Sequence, residues 1–301
     1  MDRLTAMLVF SEVALRGGFT AAAESLDMSR AMVTRHVNEL ERRLGTSLLQ
    51  RSTRRVALTE AGEACLIQCR QMLELASDME NDAAGQRDSV PRGQLRVTTS
   101  ISFGMAHLAP AIADYLERYP AVTIDLLVTE HSLNLIEERI DLAIRIAGEL
   151  DPHLVARRIA PCRSVVCASP DYLQRRGTPA VPNDLVRHNC LTYSNFGRGQ
   201  WRFGRDGVEL AVPVSGNLSA NEATVLTQAA LAGAGIALQP TYLAGPLIRA
   251  GRLRALLQAW EPPELGIWGV YVSRRHVPAT LRTLLDFLVQ RLGGRPAWDL
   301  D

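Results

Sequence analysis

The sequence predicts an α/β chain in two parts: a small helical N-terminal part, then, through one long helix, a larger part in which strands and helices alternate. Three observations lead to this prediction. Apolar residues recur at helical spacing up to residue 45, a heptad-like pattern follows from residue 61, and short apolar runs alternate with amphipathic segments after residue 91. A chain of 301 residues, 47% of them apolar, can form one large domain or two to three modest ones.

The first two helices are predicted from apolar spacing and from residues that begin and end helices. Helix one ends at Arg16-Gly17-Gly18, because glycine favours the end of a helix. Its apolar face consists of Leu4, Met7, Leu8, Phe10, Val13 and Ala14. Thr20 is the predicted N-cap of a short alanine-rich second helix that ends near Met28.

Ser29 is the predicted N-cap of a third helix, which Gly45 ends. Its predicted buried stripe is Val33, Val37, Leu40 and Leu44. Two helices joined by a short turn form the geometry that places the start of the second helix in a DNA major groove. The candidate contacts lie off the stripe: Arg30, Thr34 and Arg35, with Thr20, Ser29 and Ala31 beside them. His36 is open to two interpretations, a solvated side chain or a packing one.

The charge distribution supports contact with a polyanion. The formal net charge is only +1, but seven arginines and two glutamates lie between Met28 and Leu58. Such a local basic patch is typical of nucleic-acid binding, and a solvated helix face is the alternative. All 33 basic residues are arginine, so a Schiff-base lysine and the lysine of a phosphate-binding loop are both excluded.

Two short extended segments near residues 47–49 and 56–59 flank an arginine-rich turn. This arrangement predicts a wing beside the third helix. Arg51, Arg54 and Arg55 are the candidate wing contacts, because their length lets them reach the phosphate backbone or the minor groove.

The N-terminal sequence resembles the LysR-type transcriptional regulators of bacteria. The resemblance rests on an ordered set of segments: Gly18-Phe19-Thr20-Ala21-Ala22-Ala23-Glu24-Ser25-Leu26, Val33-Thr34-Arg35-His36-Val37, Leu40-Glu41, Leu44-Gly45, Leu48-Leu49 and Leu58-Thr59-Glu60-Ala61-Gly62. It implies a winged helix-turn-helix over residues 1–59 that binds promoter DNA and regulates transcription. The sequence departs from the family's usual pattern at Arg30, Ala31 and Leu49.

A long linker helix is predicted from a cap at Thr59 to about Gln86, with a hinge up to residue 90. Its heptad-like seam is Ala61, Cys65, Gln68, Met72, Leu75 and Met79. The resemblance implies that this helix pairs antiparallel with its copy in a second subunit. A homodimer would then bind an inverted repeat, and the family's usual state implies a homotetramer that contacts RNA polymerase. Cys65 and Cys69 are interpreted as packing residues.

The segment 91–301 alternates strands with helices, which predicts a parallel sheet wrapped by helices. The predicted strands are 95–99, 123–128, 141–146, 163–168, 191–193, 235–239 and 266–273, and the predicted helices are 103–119, 133–138, 171–176, 222–232 and 278–292. The C-terminal residues from Arg295 are expected to be a loosely held tail.

The same resemblance implies that this segment is a two-lobed, periplasmic-binding-protein-like (type 2) effector domain, with lobe I at about 91–159 and 266–301 and lobe II at about 160–265. Ligands bind such folds beyond the carboxyl ends of strands. The candidate effector residues are Ser100, Ser102, Phe103, Thr129, Arg145, Tyr193, Asn195, Asn221, Gln239 and Pro240. A helix beginning after Ser100 favours an anionic metabolite. Arg145 is open to two interpretations, ligand binding or a structural salt bridge.

The sequence gives little support to other classes of function. Six histidines show no metal-ligand spacing, and no nucleophile elbow is present, so we expect no enzyme, metal or cofactor. Redox sensing by Cys162, Cys167 or Cys190 is the alternative to a metabolite effector. No secretion signal or membrane segment is recognised, so a cytoplasmic location is expected and an exported solute-binding protein is not.

Overall fold

The computed structural model describes residues 2–51, 56–83, 91–131, 133–151, 154–194, 199–272, 277–294 and 296–299. The chain divides into two compact units, Met1–Ser89 and Val90–Asp301. Among the described residues, no helix combines the length and apolarity that crossing a bilayer requires.

Three helices and a short hairpin form the core of the first unit. The helices are α1 (Arg3–Arg16), α2 (Phe19–Ser25) and α3 (Arg30–Leu44), and the antiparallel strands are β1 (Leu49–Arg51) and β2 (Val56–Leu58). Fully buried Val9, Phe10 and Val13 of α1 pack in one cluster with Val33 and Val37 of α3. The predicted helix-turn-helix with a wing is therefore confirmed.

Two details of these helices differ from the sequence prediction. Helix α2 begins at Phe19 with Gly18 as its N-cap, so Thr20 lies inside the first turn and does not cap it. Leu44 was predicted to be buried but is 51% exposed. It is the last residue of α3 before Gly45 turns the chain away with a φ of 67°, and the helix there has passed the end of the core.

The turn from α3 into the wing is fixed by Glu41. Its Oε1 accepts hydrogen bonds from the backbone N–H groups of Leu48, at 2.8 Å, and of Leu49, at 3.2 Å. Both leucines are buried in the core of the unit. A single side chain of α3 therefore holds the start of β1.

Helix α4 (Glu60–Ala83) follows the wing. Thr59 caps it as predicted, because the Thr59 hydroxyl accepts a hydrogen bond from Gly62 N at 2.9 Å. Leu66 and Cys69 pack into the core of the unit, whereas the seam residues Gln68 and Met72 are exposed. Residues 84–90, and the side chains of Leu75 and Met79, lie outside the description.

The first lobe of the second unit begins with β3 (Gly93–Thr99), α5 (Ile101–Phe103), a π-helical turn (Gly104–Leu108) and α6 (Ala109–Arg118). Strands β4 (Val122–Val128), β5 (Leu142–Ala147) and β6 (Val155–Cys162) follow. Strands β3, β4 and β5 are parallel, so their carboxyl ends share one edge of the sheet.

The second lobe is built from the next hundred residues. Its elements are β7 (Ser164–Ala168), α7 (Pro170–Arg176), β8 (Cys190–Tyr193), β9 (Gln200–Arg205), β10 (Val208–Pro213), β11 (Ser219–Ala220), α8 (Ala223–Leu231), β12 (Ile236–Pro240), α9 (Thr241–Arg249) and β13 (Arg254–Leu256). The sheet order is β11-β8-β12-β7-β13, and β9 with β10 forms a separate hairpin. The chain then returns to the first lobe as β14 (Leu265–Tyr271) and α10 (Ala279–Leu292). The first-lobe sheet thus has the order β4-β3-β5-β14-β6.

Both sheets are mixed, and the predicted parallel sheet is wrong in this respect. Strand β14 is antiparallel to β5 and β6, and β7 is antiparallel to β12 and β13. Strands β7 and β14 are each the first strand after the chain passes from one lobe to the other, so neither is joined to its sheet neighbours by the crossover helix that parallel neighbours need.

The helix predicted at residues 133–138 is also wrong, because the segment forms turns instead. Asn134 Oδ1 accepts a hydrogen bond from Ile136 N at 3.1 Å, a local turn that competes with a helix. Arg139 then adopts a left-handed φ of 56°, which ends the turn before a second one can form.

The two lobes share one aromatic cluster. Tyr242, from α9 of the second lobe, is buried in the core of the first lobe against Phe103 and His107. Trp298 stacks on the same rings and is only 6% exposed. The C-terminal segment was expected to be a loose tail, but its tryptophan completes this cluster.

Candidate functional site

The N-terminal half of α3 presents an exposed polar face. Ser29 Oγ accepts a hydrogen bond from Met32 N at 3.2 Å and caps the helix, as the sequence predicts. Arg30, Ala31 and Arg35 are exposed, and Thr34 donates its hydroxyl hydrogen to Arg30 O at 2.9 Å. Neither guanidinium is bound to another described residue. Two unpaired cations at a helix N-terminus are suited to phosphates and base edges.

The C-terminal half of α3 carries cations that are already neutralised. Glu39 accepts hydrogen bonds from Arg42 and Arg43, each at 2.7 Å. The hydrogen bond from Arg42, followed by that from Arg43, lowers the pKa of Glu39 to about 2. The free positive charge of the helix is therefore concentrated near its start. His36 is buried, so of its two interpretations the packing one holds and the solvated one does not.

The remaining candidates for DNA contact lie elsewhere. Thr20 is exposed in the first turn of α2. Arg51 ends β1 at the wing, and its side chain lies outside the description, as do Arg54 and Arg55 altogether. The strands on either side of residues 52–55, β1 and β2, pair antiparallel.

In the second unit, the candidate effector residues lie at the carboxyl ends of parallel strands. Ser100 follows β3, Thr129 follows β4, and Tyr193 ends β8. Asn221 follows β11 and is exposed, while Gln239 and Pro240 end β12. Residue 195 lies outside the described chain. Both lobes thus contribute the strand ends that bind ligands in folds of this kind.

Glu130 joins the two lobes at these strand ends. Its Oε1 accepts a hydrogen bond from Ile101 N at 2.8 Å, at the start of α5 in the first lobe. Its Oε2 accepts a hydrogen bond from the Tyr193 hydroxyl of the second lobe, also at 2.8 Å. The backbone N–H of Ile101, at the helix start that was predicted to favour an anionic effector, is therefore bound by a carboxylate of the chain itself. The sequence analysis missed Glu130, although its position directly after the candidate Thr129 is a readable signal.

Ser102 and Phe103 are both buried. The Ser102 hydroxyl lies 3.0 Å from the Tyr242 hydroxyl, which is a second hydrogen bond between elements of the two lobes. Burial raises the pKa of Tyr242, so this hydroxyl stays protonated. Phe103 was predicted to line the cleft, but it is fully buried in the aromatic cluster with Tyr242. Its ring therefore packs into the core on the buried side of α5.

Arg145 is half-buried in β5, and its guanidinium donates to Leu133 O at 3.0 Å. Burial lowers the pKa of this guanidinium. Its hydrogen bond within the first lobe favours the structural interpretation over ligand binding.

The cysteines of the second unit are unsuited to a disulfide switch. Cys162, Cys167 and Cys190 are free and buried, and burial raises the pKa of each thiol to about 12. Cys167 and Cys190 lie on strands β7 and β8, which are separated by β12, so their Cα atoms are about 10 Å apart. A disulfide requires less than about 7 Å.

Two family models match the chain. Residues 4–63 match the bacterial regulatory helix-turn-helix protein of the lysR family, and residues 88–293 match the LysR substrate binding domain. The chain belongs to the LysR family. LysR-type regulators bind DNA and small-molecule effectors and are oligomeric, and the relatives of this chain are transcriptional regulators.

Individual relatives of this LysR-type regulator match along nearly its whole length. An HTH-type transcriptional regulator of Xanthomonas campestris is 36% identical over 95% of this chain and 84% of its own. The HTH-type transcriptional activator TtdR of Escherichia coli is 33% identical over 95% of this chain and 93% of its own. Among solved structures, CrgA from Neisseria meningitidis, a LysR-type transcriptional regulator, is 34% identical with a TM-score of 0.62, covering 96% of this chain and 99% of that one.

Proposed function

We propose that this LysR-type regulator binds a specific promoter site in the cytoplasm through α3 and the wing, and that a small-molecule effector bound between the two lobes sets its activity. The observation that carries the DNA-binding part is the pair of unpaired guanidinium groups, Arg30 and Arg35, on the exposed start of a capped helix. Thr20, Ser29, Ala31 and Thr34 support the contact, and Arg51, Arg54 and Arg55 add backbone contacts from the wing. The proposal includes no catalytic step and no cofactor.

The proposed assembly is a homodimer through α4 that associates further into a homotetramer. Gln68 and Met72 support it, because these two residues of the predicted α4 seam are exposed in the single chain. Two recognition helices would then bind an inverted repeat. Met72→Glu should shift the mass in solution toward the monomer, whereas Arg70→Glu, on another face of α4, should not.

The proposed regulation is a change in the spacing of the DNA-binding arms when the lobes close on an effector. Such a change would alter DNA bending and contact with RNA polymerase. The proposed effector-binding residues at the strand ends are Ser100, Thr129, Tyr193, Asn221, Gln239 and Pro240. Asn195, outside the described residues, stays a candidate from the sequence. The sequence favoured an anionic effector because of the N–H group of Ile101, but Glu130 already binds that group.

DNA binding is tested with the purified chain and the DNA upstream of its own gene, against shuffled DNA, across a salt series. Arg35→Ala should weaken specific binding by about 1–3 kcal/mol, roughly 5- to 150-fold, and relax base preference. Arg43→Ala is the matched control, because Arg43 lies on the same helix but is paired with Glu39. Equal affinity of the wild-type chain for both DNAs would contradict the proposal.

Redox sensing is the weaker alternative. Its cysteines lie in three separate packing clusters and have raised pKa values, which favours the thiol over the reactive thiolate. Thiol titration before and after peroxide treatment tests it directly. We expect all five thiols to be recovered.

A further inference from the structure

We propose that Glu130 is a built-in ligand of the interlobe cleft: it occupies the position of an anionic effector, and the cleft therefore selects effectors that carry amine groups. This inference rests on the proposed function, because it concerns the same cleft. It names Glu130 as the specificity-determining residue and an amine as the ligand class.

Glu130 lies between hydrogen-bond donors of the two lobes. Its two carboxylate oxygens accept from Ile101 N in one lobe and from the Tyr193 hydroxyl in the other, each at 2.8 Å. A carboxylate of an effector would need the same donors. It could bind there only by displacing Glu130 and would then lie beside a second negative charge.

Two buried side chains near the strand ends of the second lobe each have an oxygen without a hydrogen-bond donor among the described residues. Glu222 is 7% exposed; its Oε2 accepts from Val225 N at 3.0 Å, whereas its Oε1 has no hydrogen-bond partner among the described residues. Gln239 is 1% exposed, and its Oε1 likewise has none. A buried acceptor without a donor is costly, so a water molecule or a ligand that brings a donor would stabilise each of them.

Gln239 ends one of the two strands that flank the strand of Tyr193, and Glu222 follows the other. The sheet order is β11-β8-β12, and Ala220 of β11 is in register with Tyr193 of β8. Ala237 of β12 is in register with Leu191, so Gln239, two residues further, is level with Tyr193. Glu222 follows Ala220 by two residues. The unused acceptors and the Glu130–Tyr193 contact therefore lie at one end of adjacent strands.

The charged side chains at this end of the strands favour a cationic ligand. Glu130 and Glu222 contribute two carboxylates, and the guanidinium of Arg145 is directed to Leu133 O within its own lobe. An ammonium group has three donors and one positive charge, so it complements acceptors of this kind, whether a carboxylate or an amide oxygen. A carboxylate effector has neither donors nor the complementary charge.

Chemical rescue tests the occupancy of the anion position. Glu130→Ala removes the carboxylate that accepts from Ile101 N and from the Tyr193 hydroxyl, so acetate should raise the unfolding temperature of this variant saturably relative to sodium chloride of equal ionic strength. The fluorescence of the tryptophans, all of which lie beyond residue 200, reports this unfolding. Wild type and the control Glu137→Ala, an exposed carboxylate of the same lobe, should not respond. Equal responses of wild type and Glu130→Ala, or no rescue, would overturn the proposal.

Ligand class is tested with amines and acids of matched carbon skeleton, from ethanolamine and glycolate to 1,4-diaminobutane and succinate. Wild type should be stabilised by amines of the series and not by the acids. Glu130→Gln, which keeps the shape of the side chain, should weaken amine binding by about tenfold or more, the factor expected for one charge-assisted hydrogen bond. Stabilisation of wild type by the acids, or by none of the amines, would overturn the proposal.

Binding of the same samples to upstream DNA separates the two proposals. Salt-sensitive, Arg35-dependent DNA binding together with failed rescue refutes the inference about Glu130 alone. Loss of specific DNA binding by wild type refutes the proposed function itself.

Discussion

Replacing Glu41 by alanine should loosen the wing without unfolding α3. The substitution removes the one oxygen that accepts from both Leu48 N and Leu49 N. A hydrogen bond to a charged acceptor contributes about 1.5–3 kcal/mol, and an unpaired buried donor costs about 1–3 kcal/mol. Because Glu41 is half-exposed and one of the two bonds is long, we expect about 3 kcal/mol in total for both. This corresponds to roughly a 150-fold increase in local opening.

Amide hydrogen exchange of a peptide that contains residues 48 and 49 measures this opening. Exchange of these two amides should accelerate by about 100-fold in Glu41→Ala and by less in Glu41→Gln, which retains an acceptor. Glu39→Ala is the matched control: it removes the same charge from the same helix, but its ion pairs are exposed and screened by solvent, so exchange at residues 48 and 49 should not change. DNA binding should weaken in Glu41→Ala and strengthen in Glu39→Ala, which frees Arg42 and Arg43. Unchanged protection of Leu48 and Leu49 in a folded Glu41→Ala protein would refute the reasoning.

Three further predictions follow from single contacts. Gly62→Ala should destabilise the chain by about 1–3 kcal/mol in denaturant unfolding, although alanine normally favours helices, because its Cβ would lie 1.9 Å from Leu48 O. Ser29→Ala should cost about 1 kcal/mol, seen as faster amide exchange at the start of α3, while Ser25→Ala, whose hydroxyl caps no helix, should leave that exchange unchanged. Burial lowers the pKa of His107 below its ordinary 6.5, so the unfolding temperature should fall as pH drops through about 6.5 toward 5. His107→Gln should flatten this pH dependence. An unchanged slope in the variant would contradict the prediction.

The N-terminal unit was largely predictable because its determinants are local. Ser29, Gly45 and Thr59 are end signals that act within a few residues, and the structure places each as predicted. Thr20 failed as a cap because the preceding Gly18 already adopts the extended conformation from which the helix starts. Leu44 failed because periodicity identifies a face of a helix but not where the core beneath it ends.

The second unit was less predictable because its topology depends on distant pairings. The strand patterns near residues 95, 123 and 266 were recognised. The residues of β14 do not by themselves indicate that this strand runs antiparallel between β5 and β6. The cleft shows the same limit. Its strand ends were located from the alternation of elements, whereas the bond between Glu130 and Tyr193 joins residues 63 positions apart. Only the three-dimensional arrangement reveals that the chain supplies its own anion.

The double passage between lobes has a consequence for biosynthesis. Strand β14 is the only sheet partner of β6 among the described strands, yet it is made about a hundred residues later, after the whole second lobe. On the ribosome, β5 and β6 must therefore wait with open edges while the contiguous second lobe can already fold. The lobe that is translated first is completed last. During that interval its unpaired strand edges are open to mispairing with other nascent chains.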